Sequence, residues 1–170
     1  YRGKLEDRGL QLMGKFWQAD VELYREENIP LQTKVSELTN EYHKRCGKQT
    51  VEFQGEKLTL QQLARHYDHP QRETREEAWR LGESRRAEDR EAFDRIFDEL
   101  LELRRQIADH CGLDSYRDYA WKSKKRFDYT PDDCLRFADA VAETCMPLVE
   151  ELDQQRREAL GVESLRPWDM

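Results

Sequence analysis

The sequence predicts an all-α protein, an array of long antiparallel helices interrupted by one short β-hairpin near residues 50–58. Three observations carry that expectation. Charged residues make up 38% and hydrophobic residues 37%, with only 8 Gly and 5 Pro, the balance of long helices with a narrow buried stripe and a wide wet face. Apolar residues recur every three or four positions along most of the chain. The period changes to two at one place only, beside a turn pair. Aromatic residues at 10% supply enough apolar surface for a modest core.

A first helix is expected from Leu5 to about Glu27, with Leu12, Phe16, Ala19 or Asp20, and Leu23 on one face. Asn28-Ile29-Pro30 should break or kink it, because proline disfavours helix at the residue before it. A second helical run follows, with Leu31, Val35, Leu38 and Tyr42 on one face and an end at Cys46-Gly47. Thr50-Val51-Glu52-Phe53 then alternates, Gln54-Gly55 offers turn chemistry, and Glu56-Lys57-Leu58 returns, which together read as a hairpin. Thr59 is placed to cap a short helix from Leu60 to Tyr67.

Asp68-His69-Pro70 reads as the start of the next helix. Unbroken to Cys111, it would be ~60 Å long, with a bend at Gly82 and a stop at Gly112. Ser115 should cap a short helix bearing Tyr116, Tyr119 and Trp121. Thr130-Pro131-Asp132-Asp133 combines a cap, a proline and first-turn acids, a strong helix start. Behind it Cys134, Ala138, Val141, Cys145, Leu148, Leu152 and Ala159 keep a four-three rhythm up to a C-cap at Gly161. Pro147 removes one hydrogen bond within it and should kink it near Glu143.

A net charge of -7 opposes a general nucleic-acid or anionic-membrane partner, which needs a basic face. The basic run Lys122-Ser123-Lys124-Lys125-Arg126 reads as a solvated helix end facing acids elsewhere. No apolar stretch approaches the roughly 20 residues of a membrane span, and no signal-peptide pattern is visible. Cys46, Cys111, Cys134 and Cys145 show no CxxC pairing, which suits free thiols in a reducing cytoplasm.

The sequence contains no recognisable catalytic centre: no catalytic residue and no metal ligand is expected in it, and its substrate-binding residues are unknown. His66 and His69 form the one close histidine pair, spaced by three across a helix end without further ligands nearby, so capping and surface polarity explain them better than a metal. His110-Cys111 are neighbours on a helix and point about 100° apart, so they cannot act as base and nucleophile. Cys134 and Cys145 share an apolar face and read as small core residues. Acidic pairs such as Glu76-Glu77, Asp132-Asp133 and Glu150-Glu151 arise easily among 36 carboxylates. Catalytic carboxylates need burial to raise a pKa.

In order along the chain, several pieces resemble the N-terminal half of the oligoendopeptidase F family of zinc metallopeptidases, which is related to the thimet oligopeptidases. They are Phe16-Trp17 with Pro30-Leu31 and Leu38, Thr50 to Glu56 with Thr59 to Leu63, and Arg72 to Trp79. Ile107-Ala108 with Gly112, Tyr116-Arg117-Asp118-Tyr119, Arg126 to Asp133, and Leu165 to Asp169 continue the set.

The resemblance implies a parent chain of several hundred residues with a deep channel for short peptides. It also implies zinc held by a His-Glu-x-x-His helix and a more distant glutamate, the motif's own glutamate activating the attacking water. No residue here matches that motif. Tyr1 is not Met, and Leu165-Arg166-Pro167-Trp168-Asp169-Met170 follows a finished helix, so both ends read as cuts.

Residues 1–170 are therefore expected to be the N-terminal helical segment of a larger peptidase whose catalytic zinc-binding half is absent. The segment would hold no cofactor, zinc belonging to the parent. It would form one wall of the channel, with Arg166 to Asp169 as a hinge-like exit toward the missing half. Its partners would be that half and, in the parent, short peptides, and an exposed apolar strip would open it to self-association. A stand-alone helical interaction or scaffold protein is the rival reading.

Overall fold

The computed structural model describes residues 7–170, so the expected start at Leu5 lies outside the described residues. In order, the elements are α1 (Arg8–Leu23), α2 (Asn28–Lys48), β1 (Thr50–Phe53), β2 (Glu56–Thr59) and α3 (Leu60–Leu63). A 3-10 turn at Ala64–His66 leads to α4 (Arg72–Ala87), α5 (Arg90–His110), α6 (Tyr116–Ser123), α7 (Pro131–Leu160) and a last 3-10 turn at Pro167–Asp169. The fold is predominantly α-helical with one two-stranded antiparallel sheet.

Two compact units emerge. One takes in the chain up to Glu41 together with Arg95–Thr130, and the other holds Tyr42–Asp94 and Pro131–Met170. The first unit buries Leu23, Ile107, Ala108 and Tyr119, with Leu31, Val35, Leu113 and Tyr116 packed around them. Asp7 caps α1 by accepting from the Leu10 N–H at 3.0 Å. Of the expected apolar stripe on α1, Ala19 and Leu23 are buried, while Phe16 is an exposed ring stacked on Phe127 at 5.7 Å.

The break between α1 and α2 falls earlier than Asn28-Ile29-Pro30. Tyr24 is already extended, and those three residues open α2 instead. Pro30 lies in the first turn, where a missing N–H costs nothing. Asn28 is buried because its side chain closes the end of α5. Its Nδ2 donates to the Ile107 carbonyl at 3.1 Å, and its Oδ1 lies 2.7 Å from His110 Nδ1.

In the second unit, Val51 pairs with Leu58 and Phe53 with Glu56 across the hairpin. Gln54 and Gly55 both take positive φ, 52° and 81°, the geometry a two-residue hairpin turn requires. Val51, Phe53 and Leu58 then share the face that packs on Leu63 and Ala78. Thr59 caps α3 in a reciprocal box with Gln62.

The long helix expected up to Cys111 breaks at Glu88-Asp89, and Gly82 lies inside α4 without interrupting it. A Cβ at Gly82 would come within 2.7 Å of the Tyr67 hydroxyl. Close packing, not bending, is therefore what that glycine permits. The break itself is set by Asp89, which accepts from Gln49 Nε2 at 2.8 Å and Arg85 Nη1 at 2.9 Å.

α7 departs most from expectation. It runs through Pro147 as one helix, and none of its residues is buried. Cys134 and Cys145 are exposed, not core residues. Its rhythm defines an apolar face correctly, but nothing among the described residues covers that face.

Candidate functional site

The four histidines and Cys111 each have structural contacts. His69 precedes α4, which begins at Arg72 and not at Pro70. Its Nδ1 accepts from the Gln71 N–H at 3.1 Å. His66 packs on Phe53 with ring centroids 4.7 Å apart, and its Nε2 accepts from Arg65 at 3.2 Å. His43 lies edge-on to Tyr42. His110 is the last residue of α5, engaged with Asn28, and its carbonyl accepts from Arg25 Nε at 3.0 Å. The Cys111 thiol donates to the Leu23 carbonyl at 3.3 Å.

The basic run after α6 does meet acids. Lys122 Nζ lies 3.1 Å from Glu22, Lys125 pairs with Asp20, and Arg126 stacks over Trp121 at 4.8 Å. Among the described residues no group of three or more His, Cys, Asp or Glu could hold a metal ion.

The densest polar arrangement lies where α4 meets the last turn of the chain. Arg72 grips Asp169 through two parallel bonds of 2.8 Å, Nε to Oδ1 and Nη2 to Oδ2. Arg75 donates from Nε to the Trp168 carbonyl at 2.8 Å and from Nη1 to the His69 carbonyl at 2.9 Å. Its Nη2 reaches Asp169 Oδ1 at 3.4 Å. Asp169 Oδ2 also accepts from the Arg166 N–H at 2.9 Å, closing the turn on itself. Above this network the Trp168 ring meets Trp79 at 5.4 Å and lies under the Arg80 guanidinium at 4.6 Å.

The Asp169 side chain is fully shielded from solvent. Its hydrogen bonds to Arg72, outweighing the opposing effect of burial, hold its carboxyl below the usual aspartate range. The same pairing raises Arg72. A carboxylate so held stays anionic at neutral pH and has no proton to give, so it cannot serve as a general acid. It works as an anchor: bidentate Arg–carboxylate geometry fixes direction as well as distance. The segment expected to be a hinge-like exit is instead clamped to α4. The sequence placed Arg72 to Trp79 and Leu165 to Asp169 among the resembling stretches, yet nothing in either stretch announced that the two meet.

The chain is similar to a putative oligoendopeptidase F from Bacillus anthracis str. Ames, with 25% identity and TM-score 0.88 over 94% of this chain and 29% of that one. It is also similar to PZ peptidase A solved with an inhibitor, with 27% identity and TM-score 0.89 over 94% of this chain and 28% of that chain. A second putative oligoendopeptidase F, 24% identical, shares the fold with TM-score 0.89. The chain thus spans less than a third of the length of the solved chains it matches. A comparison with curated proteins finds no match.

The class defined is therefore the helical part of an oligopeptidase-like fold. The sequence pattern of Peptidase family M3 matches residues 65–170, and the chain belongs to that family. Both sides of the Arg72–Asp169 clamp fall within the matched region.

Proposed function

We propose that this chain is the N-terminal helical, non-catalytic portion of a zinc-dependent oligoendopeptidase that hydrolyses short peptides, and that it forms one wall of the substrate channel. The observation that supports this best is the coverage: 94% of the chain superimposes on 29% of the Bacillus anthracis structure. The donor set does not fit a zinc centre, since His66 and His69 are engaged by Arg65 and Gln71. No step of peptide hydrolysis is therefore assigned to residues of this chain. Its contribution would be shape: α4, the hairpin and the clamped terminal turn make a fixed surface. Four unpaired cysteines suit a reducing cytoplasm for the parent enzyme.

Metal analysis and peptide-cleavage assays on the purified 170-residue chain test the reading. The expected result is no stoichiometric zinc and no hydrolysis. One tight zinc per chain, lost on changing His66 or His69, would overturn it.

A further inference from the structure

Among the described residues, Arg104 is the only charged side chain with a polar atom sealed from solvent and left without a hydrogen bond, its Nε. Its guanidinium lies over the Tyr116 ring, 5.4 Å from the centroid. Stacking uses the face of the guanidinium and leaves the donors along its edge unspent. A cation partly withdrawn from water and not paired is costly, so such a group calls for an anion.

The acids nearby are committed elsewhere. Glu102 accepts from Arg105 and Gln106, and Asp118 accepts from Ser115 and Arg117. Glu99 lies 3.8 Å from Arg95. Asp109 and Asp114 are exposed and form no ion pair with Arg104. The platform under the guanidinium is also held firmly. Tyr116 stacks on Tyr119 at 5.5 Å, and the buried Tyr119 accepts from Gln32 Nε2 at 3.0 Å through its hydroxyl. One and two turns earlier on α5, Leu101 and Phe97 are 59% and 62% exposed. Positions 97, 101 and 104 share one helix face. They span ~10 Å, the reach of about three extended residues.

We propose that Arg104 binds a Glu or Asp side chain of a short peptide, with Leu101 and Phe97 meeting apolar side chains beside it. This rests on the function proposed above and adds a residue and a peptide class to it: an acid flanked by apolar residues. A side chain suits the site better than a chain terminus because Arg104 is half-buried. A carboxylate carried two or three bonds beyond Cα can reach in and accept from two guanidinium N–H groups.

The test is calorimetric titration of the 170-residue chain in 0.15 M salt, which screens its net charge beyond about 8 Å. The probes are acetyl-Phe-Leu-Glu-Leu amide, the same peptide with Gln for Glu, and that Gln peptide with a free C-terminal carboxylate. The Glu peptide should bind at least tenfold tighter than either Gln peptide. In Arg104→Gln the preference should fall to within twofold, and Arg104→Lys should recover only part of it, because an ammonium lacks the planar fork.

Equal affinity for the Glu and amidated Gln peptides, including no binding of either, overturns the proposal. So does tight binding of the free-carboxylate Gln peptide, which would assign the site to a chain terminus. A tenfold preference that survives in Arg104→Gln places the acid elsewhere and also overturns it. Should Arg104→Gln fail to fold, the comparison of peptides on the unchanged chain still decides. None of these outcomes involves zinc or hydrolysis, so the proposed function stands or falls by its own assay.

Discussion

Two parts of one unit behave oppositely. The hairpin corner is small, yet Val51, Phe53, Leu58, Leu63 and Ala78 are buried against one another, Leu63 completely. α7 is the longest helix, 30 residues, and buries nothing. Both follow their sequence periods faithfully. The difference teaches that a period specifies an element and its face, while burial depends on whether a second face of matching shape is present. A lone helix in water is marginal even when its pattern is good, so α7 should be the least protected element and the corner among the most.

The largest expected contrast comes from truncation. Leu63→Ala should cost about 3 kcal/mol, because a fully buried leucine leaves a cavity, whereas Leu148→Ala on α7 should change stability by less than roughly 0.5 kcal/mol. Chemical denaturation of both variants checks this. Equal costs would erase the distinction.

Next in size is the clamp. Asp169→Asn keeps the shape but removes the charge that Arg72 and Arg75 hold, and should lower Tm by roughly 5 °C. The same carboxylate sets an acid limit. Asp169 and Asp89 are both held below the ordinary aspartate value, by Arg72 and by Gln49 with Arg85 respectively. Their stabilisation is fully present above the unfolded value of about 3.9 and is lost as pH falls through the lower folded values. Thermal melts should therefore decline below about pH 4, and less steeply in Asp169→Asn. A parallel decline would mean that Asp169 is not responsible.

A smaller effect separates close packing from flexibility at Gly82. A methyl there meets the Tyr67 hydroxyl, which is buried without a hydrogen-bond partner among the described residues. Gly82→Ala should destabilise by about 1 kcal/mol, and adding Tyr67→Phe should recover most of it. Simple additivity of the two changes would contradict the contact.

Much of the architecture was legible because its signals are local. Gln54-Gly55 between alternating residues, Thr59 with Gln62, Ser115 before Tyr116, and Thr130-Pro131 each act within a few residues. What the sequence did not disclose depends on partners far along the chain. The break at Glu88-Asp89 has no glycine or proline and is held by Gln49 and Arg85. Asn28 was read as part of a helix break, yet its role is to close α5 at Ile107. Arg72, Arg75 and Asp169 are ordinary charged residues until folding brings them together across more than ninety positions. His66 and His69 were read as capping and surface residues from the helix end between them, while their actual partners, Phe53, Arg65 and Gln71, depend on the folded chain. Cys134 and Cys145 were misplaced because an apolar rhythm says which side is apolar, not whether it is covered.

The most direct test of the contrast between the corner and α7 is amide hydrogen exchange of the isolated 170-residue chain, resolved by segment. β1, β2, α3 and α4 should exchange slowly, and α7 should exchange through local opening at a far lower free energy. Uniform protection from Thr50 to Leu160 would contradict it.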